Sequence, residues 1–279
     1  MNRLLIVSTA VIGVLACSTS VGARADSIKP GQEKFKLMLG GFLPAFNTDV
    51  EVDNEDQLGD DVALGSDLGV DEDESGGWVG FEWRIAEKHR LGAMYSSFTM
   101  TGTRVIDRQI TIGDEIYPVD ATVTTSHQIE LIPITYSYSF INNDSNEFAV
   151  TAGVNWNKIT LSLTGSSSLS ADDISTTASA SADLPLPLFG IRFDHHFSDK
   201  WSAGGSAAFF SIEFAESTFE ASGSLVSARA YAEYRFGDRF GAGVAIDGFK
   251  LDINAAKSRW TGEYVLDYWG PQLYITARF

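Results

Sequence analysis

Cysteine is almost missing from this chain: Cys17 is the only one in 279 residues. A disulfide framework, a Cys-ligated zinc site and cysteine nucleophiles are therefore excluded from everything downstream of it. Basic residues are also scarce, 20 Lys and Arg against 37 Asp and Glu, for a formal net charge of −17. With no basic patch anywhere, the chain has no means of holding a phosphate backbone, which excludes a nucleic-acid partner. Beyond residue 25 no apolar run approaches the ~20 residues that a membrane-crossing helix needs. Helical periodicity is also lacking, since no stretch longer than a few turns repeats its apolar residues every 3.6 positions.

What is present begins with a leader. Arg3 is followed by an apolar stretch over residues 4–16 and then by Ala23-Arg24-Ala25 ahead of the first acidic residue, Asp26. A basic start, a short apolar region and an A-x-A site read as a secretory signal peptide, residues 1–25, with the mature domain at 26–279. Cleavage there leaves 254 residues, removes Cys17 and, by removing Arg3 and Arg24, moves the charge from −17 to −19. A rival reading is Val14-Leu15-Ala16-Cys17, which resembles a lipoprotein signal in which Cys17 is acylated.

The mature part alternates apolar and polar residues with period two. In residues 78–85, Val79, Phe81, Trp83 and Ile85 share one face, and Trp78, Gly80, Glu82 and Arg84 the other. Residues 148–157 and 226–236 repeat the pattern. Such alternation predicts strands with two chemically different faces. The connections come in two kinds. Short polar turns fall at Glu87-Lys88-His89-Arg90, 141–147, Ser198-Asp199-Lys200 and Gly237-Asp238-Arg239, and longer acidic or Ser/Thr-rich stretches at 53–75, 108–118, 166–180, 216–223 and 255–259. The spacing predicts ten strands, at 33–52, 76–86, 90–106, 119–140, 147–165, 181–197, 201–215, 224–236, 240–254 and 260–279, with eight or twelve as alternatives. Short turns on one rim and long loops on the other suit an all-β, closed antiparallel up-and-down transmembrane barrel, because only closure pairs every backbone group inside a bilayer. Nine aromatics, Trp78, Phe81, Trp83, Tyr136, Tyr138, Phe140, Trp201, Tyr234 and Phe236, are expected as interfacial girdles.

The final segment, Gln272-Leu273-Tyr274-Ile275-Thr276-Ala277-Arg278-Phe279, ends on an aromatic with Leu273, Ile275 and Ala277 on one face. It resembles the terminal signature of Gram-negative outer-membrane barrels, broadly the small OmpA- and OmpW-like class. The resemblance implies an outer-membrane location, Phe279 as the signal read by the barrel assembly machinery, contact with outer-membrane lipid and lipopolysaccharide, and no cofactor.

Charges recur on the inward faces: Glu82, Arg84, Arg192, Asp194, Arg229, Glu233, Arg235, Asp247 and Arg278. In a narrow lumen they form either a salt-bridge plug or a polar conduit. Asp194 and His196 on one strand and Asp71 and Asp73 in a loop resemble the acidic and Asp-His pairs of omptin proteases. The predicted topology sets them on opposite rims, ~25 Å apart, too far to share a substrate bond. His196 with Ser198 offers a weaker hydrolase pairing, and His89 and His127 read as surface or rim residues, so no enzyme is expected.

Twelve of the 26 residues at 49–74 are acidic. They read either as a solvated outer loop or as a weak divalent-cation site involving Asp53, Glu55, Asp56, Asp71 and Asp73. Pro44, Pro133, Pro185 and Pro187 fall inside predicted strands, where a missing N–H implies a bulge, a strand tip or a lateral opening. Two functions remain: passive passage or binding of a small, apolar molecule, or a closed structural barrel whose acidic loops face lipopolysaccharide or a partner.

Overall fold

A computed structural model describes residue 29 and residues 31–54, 60–112, 115–167, 174–216, 219–257 and 260–279. Residues 1–25, expected as a leader, lie outside the described residues, Cys17 included. The strands, in chain order, are β1 (Phe35–Phe42), β2 (Ala45–Asn54), β3 (Val62–Ala63), β4 (Gly76–Ala86), β5 (His89–Val105), β6 (Ile110–Ile112), β7 (Glu115–Tyr117), β8 (Thr122–Asn142), β9 (Asn146–Ser167), β10 (Ile174–His196), β11 (Trp201–Glu216), β12 (Phe219–Arg235), β13 (Phe240–Lys257) and β14 (Trp260–Arg278). One helical turn, α1 (Leu64–Leu68), follows β3.

The ring has ten staves, as expected, because β1 and β2 form a single one. Both pair with β14, and Phe42 opposite Gln272 and Ala45 opposite Trp269 belong to one unbroken register across Leu43-Pro44. From there the order runs β4, β5, β8, β9, β10, β11, β12, β13, β14, each antiparallel to the next, and β1–β14 closes it. Phe279 stitches the closure: its carbonyl accepts from the Lys34 and Phe35 N–H groups and its N–H donates to Phe35, each at 2.9 Å. Ring closure gives each stave a paired neighbour on both sides over at least part of its length, which is the arrangement a bilayer imposes on strands.

Period two sorts the side chains. Leu37, Val79, Phe81, Ile134, Val150, Phe189, Ile191, Val226, Val244 and Leu273 all point outward and are exposed. A belt of this kind is unstable in water and suited to hydrocarbon. Its upper limit is marked where outward residues turn polar, at Glu130, Lys158 and Asp183, which face one another across β8, β9 and β10, and at Lys250 and Asp267 across β13 and β14. Of the nine expected girdle aromatics, eight face outward. Trp78 does not: only 3 % exposed, it lies inside the barrel, as its shared parity with Glu82 and Arg84 requires.

Above the belt the strands continue, so several stretches expected as loops are strand instead. β9 and β10 pair from Asn146–His195 up to Ser167–Ile174, and β11 and β12 up to Glu216–Phe219. The Ser/Thr-rich composition of these stretches suggests loops, yet their alternation is intact: Leu161 and Leu163 are buried inside while Ser162 Oγ meets Ser179 Oγ outside at 3.0 Å. The acidic stretch 53–75 is corrected as well. Val62, Leu64, Leu68 and Val70 are buried in the barrel mouth, and α1 ends on Gly69 in the left-handed conformation (φ 67°), whose N–H returns to Gly65. Arg108 holds this segment to the β6–β7 hairpin through Asp67 (2.9 Å) and Asp60 (3.3 Å).

Candidate functional site

Inside the barrel the lower half is charged. Glu82 on β4 accepts from Arg90 Nη1 and Arg192 Nη1, each at 2.8 Å, and Arg192 Nε reaches Asp194 Oδ2 at 2.7 Å. Glu147 accepts from Arg90 Nη2 (2.7 Å), Arg84 Nη2 (2.8 Å) and Ser139 Oγ (2.5 Å). Tyr231 donates to Asp194. A second group joins Glu233 to Lys36 Nζ at 3.0 Å and to Arg278, which also faces Glu33 at 3.7 Å. Arg235 donates to the Asp238 carbonyl at 3.1 Å. Higher up, Arg229 Nη1 bonds Asp247 (2.9 Å) and Gln272 (2.8 Å), and its guanidinium lies over the rings of Trp78 and Tyr274 at 5.1 and 5.5 Å. Eight of the nine charges predicted inside thus fall into three groups, and the ninth, Arg235, is held at the lower turn by the Asp238 carbonyl. Lys36, Arg90 and Glu147, central to two of those groups, were missed because Arg90 and Glu147 read as turn residues. Their parity with Gly92 and Ala149 was the available signal.

The upper half is apolar. Phe42, Phe46, Phe98 and Tyr268 meet edge to face at 5.1–5.7 Å, and Phe249 stacks on Tyr268 at 5.2 Å. Above them Met100, Ile129, Leu163, Leu225, Leu251 and Leu266 are fully buried, and the mouth segment and the Ile110 and Tyr117 side chains cover them. At ~1.5–3 kcal/mol per buried side chain, this roof is a cohesive core and not a water channel.

Between floor and roof lies a cavity of about 260 Å³. Met38, Trp78, Met94, Leu188, Leu225 and Phe249 supply its apolar wall, Lys36, Glu82 and Arg192 its floor, and Arg229 with Asp247 one side.

The four strand prolines behave differently from one another. Pro44 interrupts hydrogen bonding without shifting register. At Pro133 the β5–β8 ladder lapses opposite Met94 and Tyr95 and resumes in the same register. The β-bulges in these ladders are elsewhere, between Arg84 and Ala86 and between Ser139 and Ile141. Pro185 and Pro187 mark a larger break. On β10 the Leu184 carbonyl accepts from Asn157 of β9 (3.3 Å), and the His196 N–H donates to Ser145 on the same side (2.8 Å). Backbone groups alternate in direction along a strand, so even-numbered residues face β9 and odd-numbered ones face β11. Both prolines therefore sit where an N–H toward β11 is required. Among the described residues the β10–β11 ladder stops at Phe189–Phe209, one such position below Pro187, while β11 continues upward paired to β12 alone. The result is a seam in the wall, flanked by the half-buried Leu184, Leu186 and Phe210.

The remaining candidates separate. Asp194 and His196 belong to the lower rim, whereas Asp71, whose N–H donates to Thr101, belongs to the mouth segment. His196 Nδ1 contacts Ser202 Oγ at 2.8 Å and not Ser198, whose hydroxyl caps its own turn by accepting from Lys200 and Trp201. His89 meets the Tyr136 hydroxyl at 2.5 Å. His127 is corrected from a surface to an interior residue: fully buried above the belt, its Nε2 lies 3.0 Å from the Tyr264 hydroxyl, and burial lowers its pKa to about 4. Of the expected cation ligands, the side chains of Asp53, Glu55 and Asp56 lie outside the described residues. Asp71 accepts from the Asp73 N–H at 3.2 Å. No group of three His, Cys, Asp or Glu side chains converges among the described residues.

No model of a known protein family matches the chain. No curated protein sequence matches it either. Among solved structures it is similar to the outer-membrane protease OmpT of Escherichia coli, with a TM-score of 0.59 at 9 % identity, covering 88 % of this chain and 96 % of that one. More distant likenesses are the toluene transporter TodX of Pseudomonas putida (TM-score 0.36, 9 % identity, 88 % and 90 % covered) and OprG of Pseudomonas aeruginosa (0.36, 10 %, 88 % and 97 %). All three are Gram-negative outer-membrane β-barrels, and the ten-stranded ring of this chain has the barrel fold of the first.

Proposed function

We propose that this chain is an outer-membrane barrel that binds a small, mainly apolar molecule in its lumen cavity, and that the molecule enters or leaves through the β10–β11 seam. The observation that carries the reading is that the cavity lies between two filled ends, paired charges below and packed side chains above, while the wall beside it loses its ladder above Phe189–Phe209. The apolar belt and the Phe279 closure support residence in the outer membrane after removal of residues 1–25 and recognition of Phe279 by the assembly machinery. Outer-leaflet lipid and lipopolysaccharide are then the surroundings of the belt and of the acidic mouth segment. Binding without catalysis is preferred because the acidic and His-containing pairs that suggest hydrolysis lie at opposite ends of the barrel.

The test is to close the seam. If the β10–β11 register continued, Pro187 would face Ser211. A thiol cross-link in the Pro187→Cys, Ser211→Cys variant should slow association of a small aromatic, followed by tryptophan fluorescence, at least tenfold, and reductant should restore it. An unchanged rate would remove the lateral route. A barrel that binds no aromatic in either state supports the second reading, a closed structural barrel, which the paired floor favours. Stable ion conductance in planar bilayers would instead mean that the floor opens and the passage is axial.

A further inference from the structure

The charges around the cavity are unevenly used. Three cations line it, Lys36, Arg192 and Arg229, against two anions, Glu82 and Asp247, in a chain whose formal charge is −17. The anions are committed: Glu82 accepts from both Arg90 and Arg192, and Asp247 from Arg229. Arg229 stands apart from the floor arginines. Its bonds to Asp247 and Gln272 both leave from Nη1, and two aromatic faces fix its plane. At 20 % its side chain is the most exposed of the ion-paired lumen cations. It sits at the junction of the polar floor with the wall built by Met38, Met94 and Phe249.

We infer that the ligand is an amphiphilic anion, a single ring or short chain bearing one carboxylate, with its head on Arg229 and its body against the apolar wall; this rests on the lumen-binding reading above. Three physical points support it. A guanidinium held flat pairs with a carboxylate at little entropic cost. An ammonium head at this position would meet the like charge of Arg229 while the neighbouring carboxylates, Glu82 and Asp247, are already engaged by arginines. The volume also fits: an apolar cavity of about 150 Å³ accepts benzene, so about 260 Å³ leaves room for a ring with a carboxylate.

The probes are toluene, benzoate and benzylammonium, one ring with three head groups, titrated calorimetrically into the detergent-solubilised full barrel at pH 7. Benzoate should bind at least tenfold tighter than benzylammonium, and Arg229→Met should lower the ratio of benzoate to toluene affinity at least tenfold. Asp247→Asn, which removes the competing carboxylate, should raise it. Arg229→Gln serves if Arg229→Met does not fold. Equal or reversed preference between benzoate and benzylammonium overturns the inference, as does a benzoate-to-toluene ratio indifferent to Arg229. Toluene binding without benzoate binding overturns it while leaving lumen binding intact. If none of the three binds, lumen binding fails and this inference with it.

Discussion

The two halves of the lumen are filled by opposite means. Below the cavity, space is occupied by ionised side chains that satisfy one another; above it, mostly by rings and aliphatic chains, with uncharged polar groups such as Thr125 and the His127–Tyr264 pair among them. A charged floor is stable only while each charge keeps its partner, since an isolated buried ion is far costlier than the pair. An apolar roof has no such dependence and loses stability in proportion to the volume removed. The floor should therefore fail abruptly on single charge deletions and the roof gradually on truncations. The largest effect is expected from Glu147→Ala, which leaves Arg84 and Arg90 without their shared carboxylate and should cost about 3–5 kcal/mol. Urea titration of the folded barrel, followed by its heat-modifiable gel mobility, measures this. A loss below about 1 kcal/mol would mean that water solvates the floor.

The roof offers the matching deletion. Leu251 is fully buried, and Leu251→Ala should cost about 3 kcal/mol. Raising the salt concentration separates the two halves: it should leave the Leu251→Ala deficit unchanged and reduce that of Glu147→Ala only slightly, because buried pairs are poorly screened.

How much of this contrast was legible in the sequence follows from which signals are local. Alternation of period two is local, so the ten strands and the inward parity of Glu82, Arg192 and Arg229 could be read directly. Arg90 and Glu147 were lost at strand ends, where a turn composition hid their parity. The roof was hidden by composition as well: Val62, Leu64, Leu68 and Val70 stand among so many carboxylates that the stretch reads as solvated, although these side chains pack into the mouth. The seam was half legible. Pro185 and Pro187 announce missing donors, but the neighbour that lacks them depends on which strand their backbone groups face, and that is set by pairing with β9.

A third prediction uses His127, the histidine buried inside the roof. His127 is neutral there with a pKa of about 4, against the ordinary value of 6.5. Above pH 6.5 neither the folded nor the unfolded form is protonated and the shift has no effect. Between pH 6.5 and 4 the unfolded chain takes up a proton that the folded one refuses, so stability falls as pH falls, by about 3 kcal/mol in total. His127→Leu should flatten that part of the pH–stability curve. A slope unchanged in His127→Leu would place the pH sensitivity elsewhere.

The smallest expected change in stability concerns the wall between the two halves. Pro185→Ala with Pro187→Ala returns two N–H donors aimed at β11, opposite the unladdered residues above Phe209. Two recovered hydrogen bonds contribute about 0.5–1.5 kcal/mol each, offset by the greater freedom of the unfolded chain once proline is removed, which leaves a net gain of about 1 kcal/mol or less. Kinetics should respond more than equilibrium does. If the seam is the route to the cavity, extending the ladder slows both association and release of an aromatic ligand while its Kd changes little. Slower hydrogen exchange at Ser211 and Glu213 would show that the ladder had formed. Slower exchange with unaltered ligand kinetics would leave the seam as a structural consequence of two prolines and remove it from the path of the ligand.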